Sequence, residues 1–178
     1  MVSGICAAIQ PLDGRKVHLR PARPADEAAF LALLTDATVD EWWQSNDPAA
    51  DAREKVTQDE IAVWAIEADG DVVGLIQAAE ETDPQYRHAS IDIVLASGGQ
   101  DRGLGSDAVR TVARWLLDVR GHHRITIDPA ASNERAIRAY QRAGFRPVGV
   151  MRNYERARDG TWHDGLLMDL LAPELTRP

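Results

Sequence analysis

Gln100-Asp101-Arg102-Gly103-Leu104-Gly105-Ser106 follows an apolar run at residues 91–95 and precedes a strongly periodic stretch, so it reads as the turn from a strand into a helix. A helix start leaves its first backbone N–H groups without intrahelical partners and carries partial positive charge. Two glycines let an anion approach that backbone with no Cβ in the way, which makes the stretch a phosphate cradle in outline. An ordinary tight loop is the plain alternative, because glycines before helices are common. Gly103, Gly105 and Ala108 also fit the dinucleotide fingerprint G-x-G-x-x-[G/A], with Asp128 further on. Against that rival, Ala96-Ser97-Gly98-Gly99 separates the glycines from the strand, and roughly half of the chain precedes them. No Gly-Lys-Ser or Gly-Lys-Thr follows, which excludes a P-loop.

Downstream, Val109, Val112, Ala113, Leu116 and Leu117 recur at the spacing of one buried helical stripe over residues 104–119, and Gly121 ends it. Residues 124–127 read as a buried strand stopped by Pro129. Ser132 or Asn133 then caps a second helix that runs to Ala143, with Gly144 as its C-terminal cap. Residues 147–154 and 162–171 are two last strands joined by a hairpin at Asp159-Gly160.

Upstream, residues 16–20 alternate polar and apolar side chains, and Ala29, Phe30, Leu33 and Leu34 give residues 26–34 helical spacing. Residues 38–52 are irregular and acidic, ahead of a helix-like segment at 52–61. Trp42 and Trp43 cannot both face one core, so either one lines a groove or both pack outside the core under a loop. Residues 63–67 and 72–78 form an antiparallel pair across Asp69-Gly70. After the acidic turn Glu80-Glu81-Thr82-Asp83-Pro84, Ile91, Ile93 and Leu95 share one strand face and Asp92 takes the other. A single helical crossover among several hairpins predicts an α/β domain with a mixed sheet. Residues 1–178 form one domain in this reading, with an extension at 1–15 and a tail at 172–178.

The chain has 178 residues, enough to bury a core without a covalent staple. Its single cysteine, Cys6, excludes an internal disulfide and a cysteine-based zinc site, and fits a reducing compartment. Residues 1–9 lack the basic start and apolar length of a signal peptide, and no stretch approaches a membrane span, so a cytoplasmic protein with no membrane partner is expected. A net charge of −8 opposes nucleic-acid binding and favours cationic partners, though it also serves solubility alone. His122 and His123 are adjacent rather than at ligand spacing, so no metal is expected, and no G-x-S-x-G elbow supports a serine hydrolase.

Gln100-x-x-Gly103-x-Gly105, between its strand and its helix, resembles the acyl-CoA pyrophosphate loop of the GCN5-related N-acetyltransferases. The segment from Asp128 through Asn133 and Tyr140 to Ala143-Gly144-Phe145 is similar to that family's other coenzyme-side motif. The entry Leu19-Arg20-Pro21-Ala22-Arg23-Pro24-Ala25-Asp26 and the C-terminal hairpin also resemble the family, so the likeness spans residues 17–171. It implies the family's fold, here a mixed, mostly antiparallel sheet of about seven strands with about four helices. Glu41-Trp42-Trp43, the Ile91-Asp92 pair and the acidic turn at residues 80–84 are similar to segments of aminoglycoside 6'-N-acetyltransferases. Gln77-Ala78-Ala79 departs from them, standing where aromatic residues often precede the acidic turn.

The resemblance implies an acetyl-CoA-dependent N-acetyltransferase acting on a cationic primary amine, with an aminoglycoside 6'-amine foremost, by direct attack in a ternary complex. A protein N-terminus or a polyamine is the alternative acceptor, and a non-catalytic CoA-binding regulator is the alternative from another class. Acetyl-CoA would be held by backbone amides of Arg102, Gly103, Leu104, Gly105 and Ser106, with Gln100 and Asn133 adding polar contacts. A backbone N–H of residues 93–95, assigned to Val94, would meet the acetyl carbonyl. Asp92 takes the role of base, its apolar neighbours raising its pKa, and Tyr140 that of the acid for the departing sulfur. Glu41, Trp42, Glu80 and Asp128 would complete an acceptor pocket with Asp92, since carboxylates around a cleft bind a polycation. Edge strands and exposed tryptophans permit a homodimer without requiring one.

Overall fold

The computed structural model describes residues 4–175, so residues 1–3 of the expected extension and 176–178 of the expected tail lie outside the described residues. In chain order the elements are β1 (Leu12–Asp13), β2 (His18–Pro21), α1 (Glu27–Leu34), α2 (Ala37–Asp40), α3 (Pro48–Thr57), β3 (Ala62–Ala68), β4 (Asp71–Glu81) and β5 (His88–Leu95). They continue with α4 (Leu104–Asp118), β6 (Arg124–Ile127), α5 (Glu134–Ala143), β7 (Arg146–Arg156) and β8 (Trp162–Leu171). All eight strands join one sheet in the order β1-β2-β3-β4-β5-β6-β8-β7. Every neighbouring pair is antiparallel except β5 with β6, which the α4 crossover connects in parallel.

The mixed, mostly antiparallel sheet follows the expectation, with eight strands rather than about seven. The additional strand is β1, where a Gly14 N–H to Val17 carbonyl bond (2.9 Å) turns the chain so that Leu12 pairs with Leu19. Segment 38–52 is more helical than its composition suggests. Asp36 caps α2 by accepting from the Thr38 amide (2.8 Å), and Asp47 caps α3 by accepting from Ala50 (3.0 Å), with Pro48 at the first helical position. α3 therefore begins four residues before the expected Ala52. The tail is not free chain either: Ala172–Glu174 forms a single 3₁₀ turn and Leu175 is buried.

The sheet has apolar side chains on both faces. Trp64, Ile66, Ile76, Ile91 and Ile125 pack with α4, where Trp64 meets Trp115 edge to face at 5.3 Å. Val63, Ala65, Leu75 and Val94 pack on the opposite side with Phe30, Leu33 and Leu34 of α1. β3 is buried on both faces and reads as a nearly continuous apolar run. The feature that matters for function lies between β5 and β6. They pair only at Ala89 with Ile125 and at Ser90 with Thr126, and beyond Ser90 β5 leaves β6. That divergence opens a cleft in the middle of the sheet.

Candidate active site

The cleft has two arms. One, of about 580 Å³, is lined by the loop 99–106, Lys16, Thr38, Val39 and the α5 residues Arg135, Ala139 and Arg142. The other, of about 590 Å³, is lined by Trp43, Gln77, Asp92, Asp128, Tyr154, Glu155 and Arg156. Trp42, Ile93, Val94, Asn133, Ala136 and Tyr140 line both, so the arms meet at these residues.

In the first arm the turn into α4 has the form of an anion cradle. Gly103 is the N-cap in the left-handed region (φ 79°), a conformation that costs an L-residue strain. The first helical bond runs from the Asp107 amide to the Gly103 carbonyl, which leaves the Leu104, Gly105 and Ser106 amides without intrahelical partners. A Cβ on Gly105 would not enter the anion's space, because it would point at Leu95 Cδ1 (3.2 Å); this glycine lets α4 lie close to β5. The Ser106 hydroxyl turns away to donate to the Ala139 carbonyl (3.2 Å). Gln100 donates to the Leu95 carbonyl and to Thr38 Oγ1 (both 3.0 Å) and accepts from Arg135, so it holds the loop to α2 and α5. Arg102 pairs with Asp69 in the β3–β4 turn. Asn133 spends its side-chain oxygen on capping α5 through the Ala136 amide (3.0 Å), and its side-chain nitrogen remains for the cleft.

Lys16 was not anticipated. Its ammonium donates to the Arg102 carbonyl (2.8 Å), and its backbone amide donates to the buried Asp107 carboxylate (2.7 Å) at the start of α4. A Cβ on Gly14 would stand 2.5 Å from the same carboxylate, so the β1–β2 turn needs glycine to bring Lys16 onto the loop. Lys16, Arg102, Arg135 and Arg142 together make this arm cationic.

In the second arm Asp92 lies opposite Gln77 on β4, and Gln77 Nε2 donates to Asp92 Oδ2 (3.0 Å). Burial pushes the Asp92 carboxyl up, the Gln77 bond opposes this, and the Asp128 charge adds to the rise. Tyr154 faces Asp128, whose hydrogen bond and charge, with burial, hold its phenol up to about 12. Burial and the charges of Asp128 and Asp92 likewise raise Glu155, which the sequence reading missed. Its only signal, alternation along β7, is broken by the register shift between Met151 and Glu155 and by Asn153 at φ 50°. Tyr140 at the junction is buried against Phe145, and desolvation with the Asp92 and Asp128 charges keeps its hydroxyl protonated.

Two expected acceptor residues lie elsewhere. Glu80 points to the opposite face of β4 from Gln77, where it accepts from Arg120 Nε and Nη2 (both 2.9 Å) and sits 2.8 Å from His122 Nε2. It is a buried structural ion pair and lines neither arm. Glu41 is exposed at the end of α2 and lines neither arm. Of the two tryptophans, Trp42 lines both arms, while Trp43 packs against the α1 side of the core under Lys55 (5.4 Å). Val94 also lines the junction, but its amide does not face it. Ala96 donates to the Val73 carbonyl (2.9 Å), and strand alternation turns the Val94 amide towards β4 in the same way. The amides directed to the open side are those of Ile93 and Leu95.

Comparison with known proteins identifies the family to which this architecture belongs. The family model for the acetyltransferase (GNAT) domain matches residues 16–146. The chain belongs to the GNAT acetyltransferase family. This GNAT chain is 30% identical over 155 residues to aminoglycoside N(6')-acetyltransferase type 1 of Klebsiella pneumoniae, covering 76% of each chain. It is 25% identical over 141 residues to spermidine N(1)-acetyltransferase of Escherichia coli K12, covering 76% of this chain and 75% of that one. Among solved structures, AAC(6')-Ib in complex with paromomycin and acetyl-CoA is 26% identical, with a TM-score of 0.74 and coverage of 89% of this chain and 95% of that one.

The protein is an acyl-CoA-dependent N-acetyltransferase with acetyl-CoA as co-substrate. The first arm fits the coenzyme: it offers free amides for a diphosphate, four cationic side chains and an open β5 edge for an extended amide-bearing chain. Among the described residues no cluster of three or more His, Cys, Asp or Glu is placed to hold a metal, and no helix is long and apolar enough to cross a membrane.

Proposed function

We propose that this GNAT enzyme acetylates a primary amine of a cationic small molecule, with the 6'-amine of an aminoglycoside as the best-fitting acceptor, by direct attack in a ternary complex. The observation that carries the reading is the second arm, which Asp92, Asp128 and Glu155 line and which meets the first arm at Tyr140. Several carboxylates spread around one cavity suit an acceptor bearing several separated ammonium groups, and Trp42 offers a flat apolar wall to a sugar ring. The relatives that act on aminoglycosides support the same reading.

The residues divide the work as follows. Asp92, with its raised pKa, takes a proton from the incoming ammonium and frees the nitrogen lone pair. The Ile93 amide, at the junction of the arms and on the open side of β5, receives the carbonyl oxygen as negative charge develops. Tyr140 gives its proton to the departing sulfur. Acetyl-CoA supplies an activated thioester. The amides of Leu104, Gly105 and Ser106, with Lys16 and Arg102, hold its phosphates in the cationic arm.

A polyamine is the second reading, favoured by the spermidine relative and by the same acidic cavity. An acceptor screen by thiol release decides between them. Kanamycin with acetyl-CoA should release free thiol at a kcat/KM at least about tenfold above that of spermidine, a preference of about 1.4 kcal/mol. The reverse preference would move the assignment to polyamines. Tight CoA binding without turnover on any amine would favour a CoA-binding regulator.

A further inference from the structure

β7 leaves its ladder with β8 for one short stretch. Met151 pairs with Gly165 and Glu155 with His163, so Arg152, Asn153 and Tyr154 stand opposite the single residue Asp164. A bulge of this kind bends its strand and re-aims the side chains it carries. Asn153 takes the left-handed region (φ 50°), which few L-residues adopt, and its amide donates to Asp164 Oδ1 (2.8 Å). β8 is in turn tied to the segment that carries Asp128, because the Ala131 amide donates to the Asp164 carbonyl and the Leu166 amide to the Pro129 carbonyl (both 2.8 Å).

The side chain that the bulge delivers to the cleft is Tyr154. Its ring lies against Gly165, where a Cβ would stand 2.8 Å from Tyr154 Cδ1 and 3.4 Å from Cγ, so any larger residue at 165 would displace the ring. Its hydroxyl is hydrogen-bonded with Asp128, another wall of the acceptor arm. The ring is thus fixed at both ends, yet the residue is 52% exposed and lines that arm. Leaving an aromatic surface open to water is unfavourable until something apolar or cationic covers it. Asp92, Asp128 and Glu155 draw ammonium groups into the same cavity, and an ammonium with its neighbouring C–H groups is what an aromatic face attracts.

We propose that Tyr154 is an acceptor-binding residue, whose ring packs on an ammonium-bearing part of the acceptor from the seat that the 152–154 bulge and Gly165 provide. This rests on the reading of the second arm as the acceptor site. Trp42, which precedes α3, lines the same arm, so the acceptor meets aromatic side chains from two remote parts of the chain. Ring and hydroxyl have separate tasks. The ring makes the contact, and the hydroxyl anchors the ring to Asp128, so substitution can separate them.

The test compares wild type, Tyr154→Phe and Tyr154→Leu. Initial rates give kcat and KM for kanamycin, and calorimetry gives the dissociation constants of CoA and of kanamycin in the presence of CoA. Tyr154 lies outside the coenzyme arm and is half exposed, so both variants should fold and bind CoA as wild type does. Tyr154→Leu removes the aromatic face and should raise the KM and the dissociation constant of kanamycin together by about tenfold or more, with kcat within about threefold. Tyr154→Phe keeps the face and should leave both within about threefold of wild type. A Phe variant that loses as much affinity as the Leu variant would reduce Tyr154 to an anchor for Asp128 and overturn the proposal. A Leu variant that binds kanamycin as wild type does, or that loses kcat alone, would overturn it too. Wild-type protein that turns over spermidine but not kanamycin refutes the aminoglycoside reading separately, and the same comparison on spermidine then decides the role of Tyr154.

Discussion

In the proposed reaction Asp92 and Tyr140 have opposite protonation demands, and the structure supplies a physical cause for each. A buried carboxyl whose pKa is raised is a stronger base once ionised, and a phenol raised by burial and nearby carboxylates keeps its proton at working pH. In its proposed role as base, Asp92 must be ionised to act. Because its folded pKa lies above the ordinary carboxyl value, kcat should climb as pH rises through that raised pKa and then level off. Asp92→Asn should lower kcat by about 10² to 10⁴ and flatten this limb, with CoA affinity unchanged, since Asp92 lies outside the coenzyme arm. Stopped-flow thiol release across pH with calorimetry for CoA measures both. A pH limb that survives in the variant would assign the titration to another group.

The difference between Glu80 and Gln77 belongs to strand geometry. Side chains alternate across β4, so three positions of separation put the two on opposite faces: Gln77 meets Asp92 in the cleft, and Glu80 meets Arg120 and His122 below the sheet. The acidic cluster at 80–84 is visible in the sequence, but which carboxylate reaches the cleft depends on a register that composition does not contain. The elements that were legible are those written locally. The Asp69-Gly70 hairpin has both residues at positive φ (55° and 92°), α4 carries its apolar stripe, and Asn133 and Gly144 cap α5. β1 was not legible because its two residues are too few to show alternation, although its hairpin with β2 is local, whereas Lys16 and Glu155 take their places through contacts with residues far along the chain. Burial raises the Glu80 carboxyl, but the bonds from Arg120 and His122 outweigh it and hold its pKa low, while burial lowers that of His122. The signs agree. Their stabilisation is present at neutral pH and is lost as pH falls, first through the usual His range near 6.5 and then below the usual Glu value near 4.3. Glu80→Gln should cost about 3 kcal/mol in urea unfolding at pH 7, less below pH 4, and leave the acceptor KM unchanged. A raised KM in a variant of normal stability would return Glu80 to the acceptor site.

Across the molecule the two arms carry opposite charge inside a chain of net charge −8. Four cations line the coenzyme arm, and Asp92, Asp128 and Glu155 line the acceptor arm. A polycationic acceptor is attracted both by the whole chain and by its own arm, so the two fields add. For the anionic coenzyme they oppose each other, since the net charge repels what the arm attracts. Salt should therefore act unequally on the two substrates. Raising ionic strength from about 0.05 M to about 0.5 M shortens the screening length from roughly 14 Å to roughly 4 Å, which removes long-range attraction but leaves buried contacts largely intact. The expected result is a rise of about tenfold in the KM for kanamycin, a rise of about threefold or less for a monocationic amine, and kcat within about twofold for both. The CoA dissociation constant should change less than the kanamycin KM. Initial rates at the two ionic strengths measure this directly. Equal salt dependence for the monocation and the polycation would mean that only one carboxylate meets the acceptor, and the three-carboxylate cavity would then be a consequence of the fold rather than the source of its specificity.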